Sequence, residues 1–564
     1  MRRSIIPGLL IPSVASFTIP IPQHWLTSGL NSDQGLCPLA PKVEFPEDDL
    51  LSPLRFVQDE SFLSLQADRL SRAVQVPTTV NDYMKDPYDD KFAPFLDFHE
   101  LLETLFPHTH AKARVDRVNR LGLVYTLNGT DTSRKPLLFT AHQDVVPIID
   151  PSDWTHPPFA GHFDGEWLWG RGASDCKNVL IGLLSVIEDL LQQDWQPTRT
   201  VVLAFGFDEE SHGFLGAGSI ATFLEEKYGR DSFEFILDEG GMGLQELDDT
   251  DSEPGVLYAL PGVGEKGALD VVLTLDVPGG HSSIPPPHTG IGILSEIIYE
   301  LERQDLFVPV LDDAHPSRRM LECQVRHSPN AVEPWLASAL QSTDHIALAE
   351  KLAQSRGEPV RFTLQTSQAA DIITGGVKSN ALPEKISAVV NYRVALHQTP
   401  ELVQERAQRL VAPIAQKHNL TTSFFPTDNV PNPSQAQNHL ALTVLSAPLA
   451  PAPISPTATN EDAVWTRFAG TVRSAFESVP SLQGRTVVVS GDIMTGNTDT
   501  RFYWGLTRNI YRWSPSRQGR TFNIHTVDER IGMDAHLEAM VLYYDLIRAF
   551  DAWDGTDDVV LPDL

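Results

Sequence analysis

The chain has 564 residues and a formal net charge of −31, from 43 Lys and Arg against 74 Asp and Glu. This length predicts several domains, and a hydrophobic content of 41% excludes global disorder. The negative charge argues against nucleic acid as the main partner, because binding a phosphate backbone needs clustered cations.

An uncharged, apolar stretch covers residues 4–23 and follows two arginines. A basic start and a short apolar run are typical of a secretory signal peptide, and an uncleaved membrane anchor is a second interpretation. A buried strand is a third, although the prolines in this stretch weaken it. We therefore predict a signal peptide or membrane anchor at 1–23, followed by an extended polar lead-in at 24–54.

Glycosylation sequons and cysteines bear on the compartment. Sequons at Asn128 and Asn419 give mild support to a secretory route, with the protein in a vacuole lumen, at a membrane or secreted. Three cysteines, Cys37, Cys176 and Cys323, are too few for a disulfide framework. Because their number is odd, at least one is unpaired or pairs with another chain.

The apolar pattern of the first half predicts alternating helices and strands. Helical periodicity covers 61–74, 95–105 and 177–194, and short apolar runs typical of buried strands cover 136–142, 200–207 and 233–238. Strands that alternate with helices favour a parallel sheet with helices on both faces.

The pattern changes near residue 267. Two segments, 268–277 and 385–396, alternate apolar and polar residues, as half-buried antiparallel strands do. A proline-rich run at 446–459 reads as a linker, after which a strand at 486–490 and a helix at 534–550 resume the earlier pattern. The predicted fold class is α/β: a mostly parallel, doubly wound catalytic domain (55–266 and 450–564) interrupted by an inserted α+β lid domain (267–449).

Histidine and carboxylates follow the predicted buried strands. In open α/β sheets, sites form beyond the carboxyl ends of the strands. Mixed histidine and carboxylate ligands suit zinc, and one carboxylate can bridge two ions. The pattern therefore predicts a two-metal site. The residues that carry it are His142, Asp144, Asp175, Glu209, Glu210 and Asp238.

Each of these residues also has an ordinary structural interpretation. His142 could be a hydrogen-bonded core histidine, and Asp175 could cap a helix. The pair Glu209-Glu210 could be a solvated turn. Ordinary roles for all of them would require four coincidences at strand ends, which favours the metal site.

Five short motifs occur in order along the chain: HQDVVP (142–147), GRGASD (170–175), DEES (208–211), LDEGG (237–241) and GGHSS (279–283). Together they resemble the co-catalytic zinc exopeptidases, a family that includes aminoacylase, carnosinase-type dipeptidases, acetylornithine deacetylase and carboxypeptidase S. The segments 67–78, 95–107 and 525–530 look most like the carboxypeptidase S branch. The resemblance extends from about residue 51 to the C-terminus.

The resemblance implies two zinc ions per subunit. It assigns His142 and Asp238 to one ion and Glu210 and His525 to the other, with Asp175 bridging both.

The resemblance also implies catalytic roles beside the metal ligands. Glu209 would be the general base for a hydroxide shared by the two ions, and would pass the proton to the leaving amine. Asp144 would orient His142. His281 of the lid would meet the carbonyl oxygen and stabilise the oxyanion.

Further residues match substrate-binding positions. Asn380 and Arg393 match positions in the lid, and Arg501 looks like an additional contact. Arginine suits a terminal carboxylate because its guanidinium binds both oxygens. Arg393 could also be an ordinary rim residue of its strand.

One residue departs from the family pattern. Cys176 follows the bridging aspartate where relatives often carry a second aspartate, at a peptide bond that is often cis in the family. It could be a core cysteine, or a soft thiol that alters metal preference.

The resemblance leaves three functions open. The first is a di-zinc carboxypeptidase that releases the C-terminal residue of short peptides of the Gly-X type. The second is an amidohydrolase acting on N-acyl amino acids, including long-chain ones. The third, an inactive binding protein, is disfavoured by the complete ligand set. Both a monomer and a homodimer stay open.

Overall fold

The structure is a computed structural model, and it describes residues 37–247, 255–303, 307–426, 438–459 and 461–555. The predicted signal peptide or anchor at 1–23, and the lead-in up to residue 36, lie outside these residues. Among the described helices, none combines the length and the apolar composition that crossing a bilayer requires.

The chain first builds helices and short strands up to residue 265. The helices are α1 (Arg55–Gln58), α2 (Glu60–Val74), α3 (Ala93–Leu105), α4 (Pro107–Lys112), α5 (Lys177–Gln192) and α6 (Ala217–Tyr228). The strands are β1 (Arg114–Val118), β2 (Gly122–Leu127), β3 (Leu137–His142), β4 (His162–Phe163), β5 (Trp167–Trp169), β6 (Val201–Gly206), β7 (Ile236–Asp238), β8 (Leu244–Glu246), β9 (Val256–Ala259) and β10 (Gly262–Glu265).

The middle of the chain forms the insert. Its strands are β11 (Gly267–Asp276), β12 (Gly280–His281), β13 (Ser367–Gly375), β14 (Ala381–Leu382), β15 (Lys385–Val394), β16 (Thr421–Phe424) and β17 (His439–Val444). Its helices are α7 (Gly290–Arg303), α8 (Pro316–His327), α9 (Leu336–Ala339), α10 (His345–Arg356), α11 (Glu358–Leu364) and α12 (Pro400–Lys417).

The last part of the chain returns to the first. It contributes α13 (Ala463–Ser478), β18 (Thr486–Val489), β19 (Asp492–Met494), β20 (Ile510–Arg512), β21 (Thr521–Phe522), β22 (Arg530–Gly532) and α14 (Met533–Ala552).

The main sheet has eight strands in the order β1-β2-β6-β3-β7-β20-β10-β19. Its centre, β6-β3-β7-β20, is parallel, whereas β1 and β2 join antiparallel at one edge. All residues of β3 and β6 are buried, as the unbroken apolar runs predicted. β18 lies outside this sheet and pairs with β9 in a separate three-stranded sheet.

Helices cover both faces of the main sheet. On one face, apolar residues of α2, α5, α13 and α14 form the largest core with alternate residues of β3 and β6. On the other face, α6 packs through residues such as Ile220 and Leu224 against Leu138 and Val202. The α/β fold class with a doubly wound sheet is confirmed.

The insert has its own sheet, in the order β13-β15-β11-β17-β16. Burial alternates residue by residue along β11 and β15, so one face of the sheet is apolar. Helices α7 and α12 cover that face and complete a separate core, to which Leu273, Ile297 and Val411 belong. We call this sheet with its two helices the lid.

The helices α8 to α11 form a further unit within the insert, which we call the helical segment (316–364). They share a small core that includes Leu321, Leu352 and Leu364. This segment also packs on the catalytic part: Cys323 of α8 contacts Tyr258 of β9 in another apolar cluster.

A disulfide joins Cys37 of the lead-in to Cys323 of α8, 286 residues apart. Cys176 is a free, buried thiol. Of the two possibilities that an odd number of cysteines allows, the structure shows one unpaired thiol and one disulfide within the chain. This disulfide links the lead-in covalently to the helical segment.

Replacing Cys323 with serine is expected to lower the free energy of unfolding by about 2–4 kcal/mol, because the cross-link restricts the unfolded chain. Urea denaturation of the variant and the wild type measures this difference. With excess reductant the two proteins should unfold alike. Equal urea midpoints without reductant would show that the cross-link contributes nothing.

Candidate metal centre

The carboxyl ends of three adjacent parallel strands meet at one edge of the main sheet. His142 is the last residue of β3, Glu209 and Glu210 lie in a short turn after β6, and Glu239 follows β7. Adjacent parallel strands end on the same side, so these side chains converge, as the sequence predicted.

His142 is buried, and its two ring nitrogens have different partners. Nδ1 lies 2.9 Å from the main-chain oxygen of Asp144. Nε2 lies 3.0 Å from Oδ1 of Asp175 and 3.3 Å from Oε1 of Glu239. Burial alone would lower the pKa of His142, but the surrounding negative groups raise it well above its usual range. With Nδ1–H donated to the carbonyl, Nε2 faces these carboxylates, and a cation bound there would contact all three groups.

The two carboxylate oxygens of Asp175 face two different histidines. Oδ1 lies 3.0 Å from Nε2 of His142, and Oδ2 lies 3.0 Å from Nε2 of His525. The peptide bond from Asp175 to Cys176 is cis, as the resemblance implied. A carboxylate shared between two imidazoles has the arrangement of a bridging metal ligand.

Glu529 fixes the loop that carries Asp175, and the sequence reasoning assigned it no role. Its Oε1 accepts hydrogen bonds from the main-chain N–H groups of Gly172, Ser174 and Asp175, at 3.1, 2.9 and 3.1 Å. Arg171 pairs with its other oxygen at 2.6 Å. Glu529 lies within the segment 525–530, which resembles the carboxypeptidase S branch, so the sequence did contain a signal for this residue.

A second donor group shares Asp175 and adds Glu210 and His525. Nε2 of His525 lies 3.0 Å from Oε1 of Glu210. Hydrogen bonds to the Asp175 and Glu210 carboxylates raise the pKa of His525 to about 10. The half-exposed ring of His525 closes the site on its solvent side.

Asp144 connects His142 to the turn after β6. Its carboxylate accepts hydrogen bonds from the main-chain N–H of Glu209 at 3.2 Å and of Glu210 at 3.0 Å. Its Oδ1 also lies 3.4 Å from Nδ1 of His142. Asp144 is therefore placed to orient both the imidazole and the two glutamates.

Glu209 points into the same site. Its carboxylate belongs with His142 and Glu210 to a third group of donor atoms that lie within 4.8 Å of one another. Burial raises the pKa of Glu209 well above its usual range, and the Glu239 charge raises it further. A carboxylate with this tendency to hold a proton suits a general base.

The structure places Glu239, which the sequence reasoning did not assign, in the donor group of His142 and Asp175. Asp238 is the last residue of β7, and burial raises its pKa, an effect that Thr140 and His142 partly oppose. Glu239 lies one residue further, beyond the strand end, and its carboxylate joins His142 and Asp175. Asp238 belongs to no donor group among the described residues, and its role as a ligand stays a prediction.

The substitutions Glu239→Gln and Asp238→Asn distinguish the two assignments. We expect Glu239→Gln to lower the metal content of the purified protein, because a neutral amide is a poor metal donor. Asp238→Asn, the matched control at the adjacent position, should retain the wild-type metal content. Elemental analysis measures both, and metal loss in Asp238→Asn alone would restore the original assignment.

Cys176 lies against the back of the site. Its Sγ accepts a hydrogen bond from the main-chain N–H of His142 at 3.3 Å, and it belongs to the donor group of His142, Asp175 and Glu239. Burial raises the pKa of Cys176 well above its usual range, which favours the neutral thiol.

The lid places His281 and Asn380 together, outside the cavity of about 410 Å³ at the metal centre. The strands β12 and β14 pair, and the N–H of Ser282 donates to the main-chain oxygen of Asn380 at 3.3 Å. The ring of His281 is exposed, and its Nδ1 lies 2.7 Å from Oγ of Ser283.

The two predicted arginines differ in their surroundings. Nη1 of Arg393 donates to Oδ1 of Asn497 at 2.9 Å, and Asn497 lines the metal-site cavity. Arg501 donates to the main-chain oxygen of His212 at 2.6 Å, and its guanidinium carbon lies 4.7 Å from the ring centroids of both Phe214 and Phe502. Arg501 does not line the cavity, so its contact with substrate stays a prediction.

The residues fit divalent cations. Burial and the Asp175 charge raise the pKa of Glu239 to about 8, and burial raises that of Glu210 to about 7. Buried carboxylates this close to one another repel, and cations between them would relieve the repulsion. Imidazole and carboxylate donors together are typical of zinc sites.

Comparison with known proteins agrees with this geometry. A model of peptidase family M20/M25/M40 matches residues 138–549. Carboxypeptidase S of Saccharomyces cerevisiae is 38% identical over 520 residues, which cover 90% of this chain and 87% of that protein. The N-fatty-acyl-amino acid synthase/hydrolase of Homo sapiens is 29% identical over 508 residues, which cover 88% of this chain and 90% of that protein.

A solved structure supports the fold. The dipeptidase Dug1p of Saccharomyces cerevisiae superposes with a TM-score of 0.60 at 13% identity, covering 89% of this chain and 98% of that one. The resemblance inferred from the motifs is thus confirmed. The chain belongs to peptidase family M20/M25/M40 and is a metallopeptidase.

Proposed function

We propose that the protein is a di-zinc carboxypeptidase that hydrolyses the C-terminal amide bond of short peptides, including those of the Gly-X type. The observation that carries the proposal is Asp175, whose two oxygens face the two imidazoles. The match to carboxypeptidase S over most of both chains supports the choice of reaction.

The donor groups divide between two ions. His142, Asp175 and Glu239 would hold one zinc, and Asp175, Glu210 and His525 would hold the other. When bound, the two ions would polarise the scissile carbonyl and make water a stronger nucleophile at neutral pH.

Glu209 would move the proton. A buried carboxylate beside His142 can accept the proton of the attacking water and donate it to the leaving amine. Asp144 keeps Glu209 in place through its hydrogen bond to the Glu209 main-chain N–H.

The lid would supply the substrate contacts. Arg393, next to the cavity, would bind the terminal carboxylate, because a guanidinium donates to both oxygens. Asn380 would assist in binding, and His281 would stabilise the carbonyl oxygen. Both lie outside the metal-site cavity, so this assignment requires the lid to close or a second subunit to contribute. The homodimer stays a prediction.

A second candidate is hydrolysis of N-acyl amino acids. The similarity to the N-fatty-acyl-amino acid synthase/hydrolase supports it. Both reactions cleave an amide next to a free α-carboxylate, so the metal centre serves either. The inactive binding protein is disfavoured because the described site retains Glu209 and both imidazoles.

A substrate panel tests the proposal with the zinc-loaded full chain. Blocked glycyl dipeptides should be cleaved with a higher kcat/KM than long-chain N-acyl amino acids, and a chelator should abolish both activities. The opposite order would favour the amidohydrolase. Cleavage of neither class would remove the proposed function.

We also propose a secretory route for the protein, to a vacuole or outside the cell. The Cys37–Cys323 disulfide supports it, because disulfides persist in oxidising compartments. The sequon residues Asn128 and Asn419 are both exposed, as glycosylation requires. The N-terminal anchor stays a prediction.

A further inference from the structure

A second cavity, of about 730 Å³, lies between the helical segment and the catalytic part. We call it the side cavity. Its lining includes the apolar residues Met320, Leu321, Leu352, Val360, Phe362 and Leu364. Such a lining favours an apolar group over water or a charged group.

The side cavity adjoins the metal-site cavity. Gly241, Met242 and Met494 line both cavities. Arg393 lines the side cavity, while its hydrogen-bond partner Asn497 lines the metal-site cavity. A substrate bound at Arg393 therefore lies next to both the side cavity and the metal-site cavity.

We propose that the side cavity binds the side chain of the substrate's C-terminal residue, and that this residue is large and apolar, such as leucine or phenylalanine. The inference rests on the proposed function, in which Arg393 binds the terminal carboxylate. A single Cα joins that carboxylate to its side chain, so the side chain must lie beside Arg393. The acyl side of the scissile bond is separated from that carboxylate by the Cα and the amide nitrogen, so it lies further from Arg393.

Charged groups at the wall disfavour an acidic side chain. Asp492 is buried, and its Oδ1 accepts a hydrogen bond from Ser317 at 2.9 Å. Arg356 also lines the cavity, but its guanidinium pairs with Glu333 at 2.8 Å. An incoming carboxylate would meet Asp492, while Arg393, the other cation among the described lining residues, already binds the terminal carboxylate in this arrangement.

The test compares blocked Gly-Leu, Gly-Ala, Gly-Asp and Gly-Lys with the zinc-loaded full chain. We expect kcat/KM for Gly-Leu to exceed that for Gly-Ala by about 10–200-fold, the range for filling an apolar pocket. Equal values for leucine and alanine, or a preference for lysine through Asp492, would overturn the inference. Metal-dependent cleavage of any of these peptides supports the proposed function separately.

The variant Val360→Phe fills the side cavity from α11. It should lower kcat/KM for Gly-Leu at least about 10-fold, and that for Gly-Ala less than about 3-fold. Gln354→Phe, an exposed position on α10 outside the lining, is the matched control and should change neither. An equal loss with both substrates would overturn the inference.

Two further measurements keep the test decisive. If Val360→Phe does not fold, Val360→Ala enlarges the cavity and should shift the preference from leucine toward tryptophan. For N-acyl leucines, Val360→Phe should lower kcat/KM by the same factor at every acyl chain length. A loss confined to the long acyl chains would assign the side cavity to the acyl group instead.

Discussion

Replacing Glu209 with glutamine is expected to lower kcat by about 10²–10⁴-fold while the protein keeps its metal. Glutamine has the shape of glutamate but cannot accept a proton at neutral pH. Glu209 belongs to neither of the two donor groups that contain Asp175, so we expect the substitution to leave the metal content unchanged. Steady-state kinetics on a blocked glycyl dipeptide, with elemental analysis of the same sample, measures both quantities.

Two controls sharpen this expectation. Glu226→Gln removes an exposed carboxylate of α6 and should leave kcat unchanged. Glu209→Asp keeps the charge but withdraws it by one methylene, so its loss should fall between those of the wild type and Glu209→Gln. Near-wild-type turnover in Glu209→Gln would remove Glu209 from the mechanism. If Glu209→Gln lost metal as well as activity, Glu209 would be a metal ligand instead of the base.

Part of the candidate site could be located from the sequence because parallel strands end together. β3 and β6 are unbroken apolar runs, so their ends, and therefore His142 and the Glu209-Glu210 turn, could be located from the pattern. His525 lies 287 residues beyond Asp238, and the resemblance alone connected it to the others.

The sequence pattern could not distinguish Asp238 from its neighbour Glu239. β7 has three residues, all buried, so no alternation of burial shows which of two adjacent acids faces the site. In the structure Asp238 is the last residue of β7 and Glu239 follows it, and it is Glu239 that joins the donor group of His142.

The sequence pattern did not indicate which distant segments of the chain pack against one another. Nothing in the pattern of α8 indicates that Cys323 meets Cys37, because their pairing depends on how the helical segment lies on the catalytic part. The side cavity arises from the same contact, since its lining joins α8 and α11 to β19. The proposed substrate preference therefore depends on tertiary packing, whereas the positions of His142 and the Glu209-Glu210 turn follow from strand order.

Asp175→Ala and His525→Ala should differ in how much metal they retain. Asp175 takes part in both donor groups with its two oxygens, whereas His525 belongs to one. We expect about two zinc ions per chain in the wild type, about one in His525→Ala and less than one in Asp175→Ala. Elemental analysis after dialysis measures these ratios, and His108→Ala, an exposed imidazole, is the control that should retain both ions.

Activity should fall with metal content in the same series. Replacing a residue that only supports a metal ligand typically lowers activity by about 10–100-fold. Loss of either ion should lower activity further, because hydrolysis uses both ions together. Glu529→Gln provides that comparison, since Glu529 holds the Asp175 loop without entering the donor groups. If Asp175→Ala kept two ions, or lost no more activity than Glu529→Gln, the shared carboxylate could not be the centre of the site.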